Sequence, residues 1–161
     1  MTGSRVVALA LLAVCLVVIG MVRGPEVRPR RGLPSASTDL PAAAVLRAWD
    51  RRRAAAYAAG SADRLRALYV RDAGSSDVGL LEGYRSRGWR VVGMRMQVLA
   101  LAVTSRESSR LRLRVTDRLV GAVAVRAAER VRLPRDRAST QRLTLVRGRD
   151  GVWRVASVRP R

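Results

Sequence analysis

Asp117 is the residue of this chain best placed to do chemistry. It falls in an alternating run in which Leu111, Leu113, Val115, Asp117 and Leu119 share one face and Arg110, Arg112, Arg114, Thr116 and Arg118 share the other. A carboxyl group among apolar neighbours is desolvated, so its pKa rises and it can act as a general acid or base. The competing expectation is a bulge near Thr116 that turns Asp117 outward to pair with Arg118 or Arg95. No second carboxylate stands beside it in the sequence. Asp72 and Asp77 bracket the Gly74, Ser75, Ser76 turn and read as turn and helix-capping residues, or else as the polar rim of a pocket. Tyr57, Tyr69, Tyr84 and Trp89 are candidates to line that pocket. Their spacing, with that of Trp49 and Trp153, equally fits plain core packing.

Other chemistries are excluded by composition. Among 161 residues there is no His, and the single Cys, Cys15, lies in the apolar N-terminal stretch. Histidine-based metal sites, structural zinc, Ser-His-Asp triads and Cys-His dyads therefore have no residues to be built from. No cofactor or metal is expected. The charge balance is extreme: 32 basic residues against 12 acidic give a net charge of +20, and every basic residue is Arg. GC-rich coding explains Arg in place of Lys but not the excess of positive charge. Arg110, Arg112, Arg114 and Arg118, with Arg142 or Arg154 across from them, form a basic stripe suited to anionic lipid or polymer; an ordinary solvated sheet face is the alternative. Nucleic acid is disfavoured, because only three Trp and three Tyr are present, with no Phe and no recognisable DNA-binding motif.

These residues must be held by a domain lying beyond a membrane-directed segment. Val6 to Val22 is a run of 17 uncharged, mostly apolar residues, near the lower limit for a span of about 20. A cleaved signal peptide is the rival, yet Gly20, Met21, Val22 and Arg23 offer no small-x-small cleavage site, and Val14 before Cys15 does not suit a lipoprotein. An uncleaved anchor over 1–23 is expected. Arg23, Arg28, Arg30 and Arg31 would hold the C-terminal domain in the cytoplasm by the positive-inside rule. A short anchor opening a small protein instead favours export, and the expected location is the cell membrane with the domain outside the cytoplasm. Pro25, Pro29 and Pro34 mark 24–40 as a semi-extended linker.

The remaining segment, 41–161, has a common domain size. Asp39 is a plausible N-cap for a helix from Pro41 to Ala59, with Val45, Leu46, Trp49, Ala56 and Tyr57 inward and Arg51 to Arg53 in water. Gly60 ends this helix and Ser61 caps a second, Ala62 to Tyr69. Asp77 caps a third, Val78 to Arg87, with Leu80, Leu81 and Tyr84 buried. From Trp89 the period becomes two: a long strand to Thr104 with a bulge at Gly93, the alternating strand from Leu111, a short edge strand from Glu129 stopped by Pro134, a strand from Gln141, a turn at Arg149, Asp150 and Gly151, and a last strand from Val152. Three helices followed by four to six antiparallel strands predict an α+β domain, a curved sheet with the helices on its concave face.

The helix pair carrying Ala48 and Trp49, then Ala58 to Asp63, then Leu68 and Tyr69, the third helix with its end marked by Tyr84 and Gly88, and the closing hairpin of Leu143, Leu145, Asp150, Gly151, Trp153, Arg154 and Val155 resemble the SnoaL-like and ketosteroid-isomerase-like (nuclear-transport-factor-like) superfamily. The resemblance covers nearly all of 41–159 and implies a cone of helices on a curved sheet. It implies no single activity, since that superfamily holds enzymes, ligand-binding proteins and interaction modules. Its isomerase residues do not carry over: their Tyr position falls near Ala54, and their sheet Asp near Ser139 to Gln141. An anchor followed by such a domain is also similar in architecture to the Mce-associated membrane proteins of actinobacteria. The expected function is a membrane-tethered, non-enzymatic accessory or interaction domain of the cell envelope, with a protein partner or a homodimer through the sheet. The alternatives are a small-molecule-binding or isomerase-like domain with Asp117 as its acid, and a basic module binding anionic lipid or polymer.

Overall fold

In the computed structural model, residues 36–160 are described, with side chains from Pro41 onward; the expected anchor at Val6 to Val22 lies outside them. Among the described residues, no helix is long and apolar enough to cross a membrane. The first helix, α1, runs from Ala36 to Ala59, so Asp39 lies within it and does not cap it. Its buried positions, Ala42, Leu46, Trp49, Ala56 and Tyr57, follow one another at four, three and seven residues, with Tyr57 beside Ala56, and make one stripe. Gly60 ends α1 with φ +62, a left-handed conformation that Gly adopts without steric cost. The Ser61 hydroxyl caps α2 (Ala62–Arg66) by accepting the Arg64 N–H.

The second helix is shorter than its sequence pattern predicts, because Tyr69 is drawn out of it into a bridge to the last strand. Val70 N–H donates to Val155 O (2.9 Å), and Val155 N–H donates to Leu68 O (3.0 Å). After a single 3-10 turn at Arg71–Gly74, α3 spans Ser75–Ser86. Asp77 therefore sits inside the first turn of α3, where its side chain is free to point at α1. Val78 and Leu81 are buried while Leu80 is 40% exposed, which rotates the inward face from the one the sequence suggests.

The strands are β1 (Arg90–Arg106), β2 (Arg110–Arg126), β3 (Glu129–Arg132), β4 (Ser139–Arg147) and β5 (Trp153–Pro160). They form one antiparallel sheet in the order β1-β2-β4-β5. β3 pairs with the C-terminal part of β2 and β4 with its N-terminal part. The β1/β2 ladder changes register four times, the first change adjoining Gly93, whose φ is +64. Each extra residue bends the ladder and increases its twist. The helices pack on the inner face, where Leu113, Val115, Leu145, Val155 and Leu65 of α2 are almost fully buried. Burying a side chain of this size contributes about 1.5–3 kcal/mol. The outer face presents the arginines of β2.

Candidate functional site

The densest polar arrangement centres on Asp77. Arg53 of α1 grips its carboxylate with two prongs, Nε to Oδ2 at 2.6 Å and Nη2 to Oδ1 at 2.5 Å. The Tyr57 hydroxyl donates to Oδ1 at 2.6 Å and the Tyr69 hydroxyl to Oδ2 at 2.6 Å. Each carboxylate oxygen thus accepts two hydrogen bonds, which fills its lone-pair sites. The pair is largely desolvated, with side chains 20% (Arg53) and 11% (Asp77) exposed. The guanidinium also lies over the Trp49 and Tyr57 rings, 5.9 and 5.5 Å from their centroids. Trp49 packs edge-on against Tyr69 and donates its indole N–H to Leu68 O at 3.1 Å.

Burial alone would raise the Asp77 pKa, but the hydrogen bonds and charge of Arg53, helped by the two tyrosines, hold it below the usual value. Burial and the adjacent carboxylate push both tyrosine hydroxyls up, so they stay protonated. Arg53 would be weakened by burial, but Asp77 more than compensates and keeps it charged. A carboxylate with no spare lone pair abstracts no proton. The arrangement is a lock joining α1, α3 and the bridge segment.

A second group of carboxylates has free capacity. Asp117 is on the inner face of β2 and is 8% exposed. Its partner is Gln141 of β4, whose amide donates at 3.3 and 3.4 Å. Burial raises its pKa against the opposing pull of Gln141 and Arg53. The nearest register change lies between Val98 and Ala100 of β1, so the alternation of β2 runs unbroken through Thr116 and Asp117 stays inward. Asp50, half-buried on α1, is raised to about 6 by burial, opposed by Arg53 and reinforced by the charge of Asp117. Asp136 is raised mainly by burial. Among the described residues, no three ligands converge to hold a metal ion.

Asp50 makes a prediction of definite sign. A carboxyl whose folded pKa is near 6 and whose unfolded pKa is near 4 favours the fold fully below pH 4. That contribution is lost as pH rises through 6. At pH 8 the ionised group therefore costs up to about 3 kcal/mol. Asp50→Asn is expected to raise the melting temperature at pH 8 and to flatten the pH 4–6 limb of the stability curve, as read by thermal melts across pH. An unchanged curve would place Asp50 in contact with bulk water.

The other residues singled out in the sequence are spread through the fold. Tyr57 and Tyr69 are spent on Asp77. Tyr84 is half-buried beneath the Arg87 guanidinium, and Trp89 is buried beneath that of Arg126, at 4.6 Å from the ring centroid. Arg110, Arg112, Arg114 and Arg118 are all exposed on the outer face. A groove of about 410 Å³ is lined by Pro41, Val45, Arg106, Leu111 and Trp153 among others, and a shallower one of about 680 Å³ by Val70, Asp72, Ser75, Ser76 and Val158 among others. Neither includes Asp117, Asp50 or Tyr57.

Two side chains of these polar groups are not legible from sequence. The Arg51 to Arg53 run reads as solvated, yet Arg53 falls four residues after Trp49 and four before Tyr57, in the middle of the apolar stripe. Asp50 falls four after Leu46. A charge at stripe spacing is the available signal, and without Asp77 in view it is indistinguishable from a water-facing run.

No protein-family model and no curated protein matches the chain. Among solved structures, it is similar to the intermembrane-space region of the chloroplast protein ARC6, with TM-score 0.53 and 12% identity over 82% of this chain and 98% of that one. It is also similar to a protein from Catenulispora acidiphila, with TM-score 0.51 and 17% identity over 78% of this chain and 94% of that one. At these identities the likeness shows the fold alone: an α+β domain with helices packed on one antiparallel sheet.

Proposed function

We propose that this chain is a membrane-tethered, non-enzymatic accessory domain, exposed on the extracytoplasmic side, that acts through its surface. The observation carrying this reading is the Asp77 lock. Two of the tyrosines that could line an open cone donate their hydroxyls to a saturated carboxylate sealed by Arg53. The uncharged run from Val6 to Val22 supports the tether. A homodimer through the outer sheet face is disfavoured, because it would set exposed arginines against arginines.

A second reading rests on Asp50 and Asp117, two carboxyls with raised pKa values, that of Asp50 raised in part by the charge of Asp117. Such a pair could share acid and base roles toward a small molecule.

Thermal melts of the detergent-solubilised full chain against a panel of planar apolar compounds separate the two readings. A ligand held at a hundredfold its Kd adds about 2.7 kcal/mol and shifts Tm by several degrees. No shift is expected. A shift that disappears in Asp117→Asn would overturn the accessory reading. Retention of the full chain in the membrane pellet after alkaline carbonate extraction checks the tether, and release into the supernatant would remove it.

A further inference from the structure

We propose that the outer face of the sheet is a docking surface for the phosphate headgroups of an anionic membrane; this names a partner for the tethered domain and rests on that reading. The face is assembled by strand register. Arg114 of β2 stands opposite Arg142 of β4, which stands opposite Arg159 of β5. This makes a row of three arginines across three strands, spaced about 5 Å apart. In the neighbouring row, Arg112 lies between Ser105 of β1 and Thr144 of β4, and Thr144 is opposite Ser157 of β5. Arg110 and Arg118 extend the field along β2, about 7 Å per step of two residues, and Arg118 is steadied by Gln97 at 2.9 Å.

All six of these arginines are exposed. The carboxylates that form ion pairs among the described residues go to Arg53, Arg66, Arg126 and Arg154 instead. Asp117, the only acid on β1, β2, β4 or β5, points inward. Like charges directly opposite on a sheet repel, so the free protein carries a cost that an array of anions would remove. Guanidinium groups interleaved with Ser and Thr hydroxyls offer phosphate both bidentate pairing and neutral donors.

The choice of a membrane over a nucleic acid comes from the rings. Trp49, Tyr57, Tyr69 and Trp89 are buried, and Tyr84 and Trp153 are half-buried, so no exposed aromatic side chain is available to stack bases. The sequence also places an apolar run at Val6 to Val22, ahead of the domain, which would keep the domain within reach of headgroups.

The test reconstitutes the full chain in vesicles of neutral phosphatidylcholine and adds vesicles containing phosphatidylglycerol, with clustering read by light scattering across a salt series. The variant Arg112→Gln/Arg114→Gln/Arg142→Gln is compared with Arg47→Gln/Arg51→Gln/Arg64→Gln, which removes the same charge from exposed helix positions. The sheet-face triple is expected to weaken capture roughly a hundredfold and the helix triple no more than a few fold. Equal losses would mean that net charge alone drives binding and would overturn the proposal. Tighter capture of a single-stranded RNA than of anionic vesicles at the same salt would overturn it in favour of nucleic acid. Free glycerol phosphate that competes at millimolar concentration or below would overturn it in favour of a soluble phosphate. A chain that neutral vesicles do not retain removes the tether but not this surface, which is then measured by direct co-sedimentation with the anionic vesicles.

Discussion

Asp77→Ala is expected to cost about 3–5 kcal/mol of stability, because it leaves the Arg53 guanidinium buried without its counter-charge. The Tyr69 hydroxyl loses its carboxylate acceptor at the same time, while that of Tyr57 keeps only the backbone carbonyl of residue 77 at 3.0 Å, and a buried donor left without a partner adds its own desolvation penalty. For a domain of this length the loss corresponds to a fall in Tm of about 10–20 °C, measurable by circular dichroism at pH 7. The pH dependence has the opposite sign from that of Asp50. The folded pKa of Asp77 is depressed, so its contribution is complete above the unfolded value near 4 and is lost as pH falls through the lower folded value. The double variant Arg53→Met/Asp77→Leu is expected to recover the part of the loss that comes from the unpaired guanidinium, since an apolar pair of similar volume needs no compensation, and to leave the part that comes from the Tyr69 hydroxyl. If Asp77→Ala costs less than about 1 kcal/mol, the group is solvated as surface pairs are, and the lock that underlies the accessory reading does not exist.

Gly74→Ala is expected to destabilise the domain by about 3–5 kcal/mol although it adds one methyl group. Gly74 is buried in the turn before α3, and a Cβ there would land on the Tyr69 ring, at Cγ and Cδ2. The ring cannot yield cheaply. It is packed against Trp49, and its hydroxyl is bonded to Asp77. Overpacking of this kind costs about 1–3 kcal/mol, and losing a hydrogen bond to a charged group adds about 1.5–3. The backbone of Gly74 is not the obstacle, since its φ is −106. The matched control is Gly79→Ala, at an exposed position inside α3 with nothing near the new methyl. It is expected to stabilise by about 0.5–1 kcal/mol through helix propensity. Melts of both variants, and of Gly74→Ala in a Tyr69→Leu background, check the mechanism. A penalty that persists undiminished without the ring would show that Tyr69 is not its cause.

Both predictions turn on contacts between elements. The elements themselves are legible. The stripe of α1, the Gly60 stop, the Ser61 cap, the bulge at Gly93, the alternation of β2 and the hairpin at Asp150 and Gly151 all arise from short-range periodicity and turn chemistry. α2 is shorter than its pattern predicts because a tertiary bridge to β5 outcompetes one helical turn at Tyr69. Alternation places the arginines of β2 on the outer face. It does not align them with Arg142 and Arg159, since alternation assigns a face and only strand register assigns a neighbour.

Composition and local patterning are enough to establish a basic α+β domain with no histidine to build a site from; that Asp117 faces the core rather than turning outward at a bulge is decided by the strand register. That Asp77 is a buried hub, and that Arg53 lies inside, emerges only when the helices are packed together. The same packing brings Asp50 and Asp117 into one electrostatic environment. The reason is physical. A charged residue is tolerated in the interior when its partner meets it there, and Arg53 and Asp77 meet at 2.5 Å although 24 residues separate them along the chain. Local periodicity reports which way a side chain points, but not what waits for it.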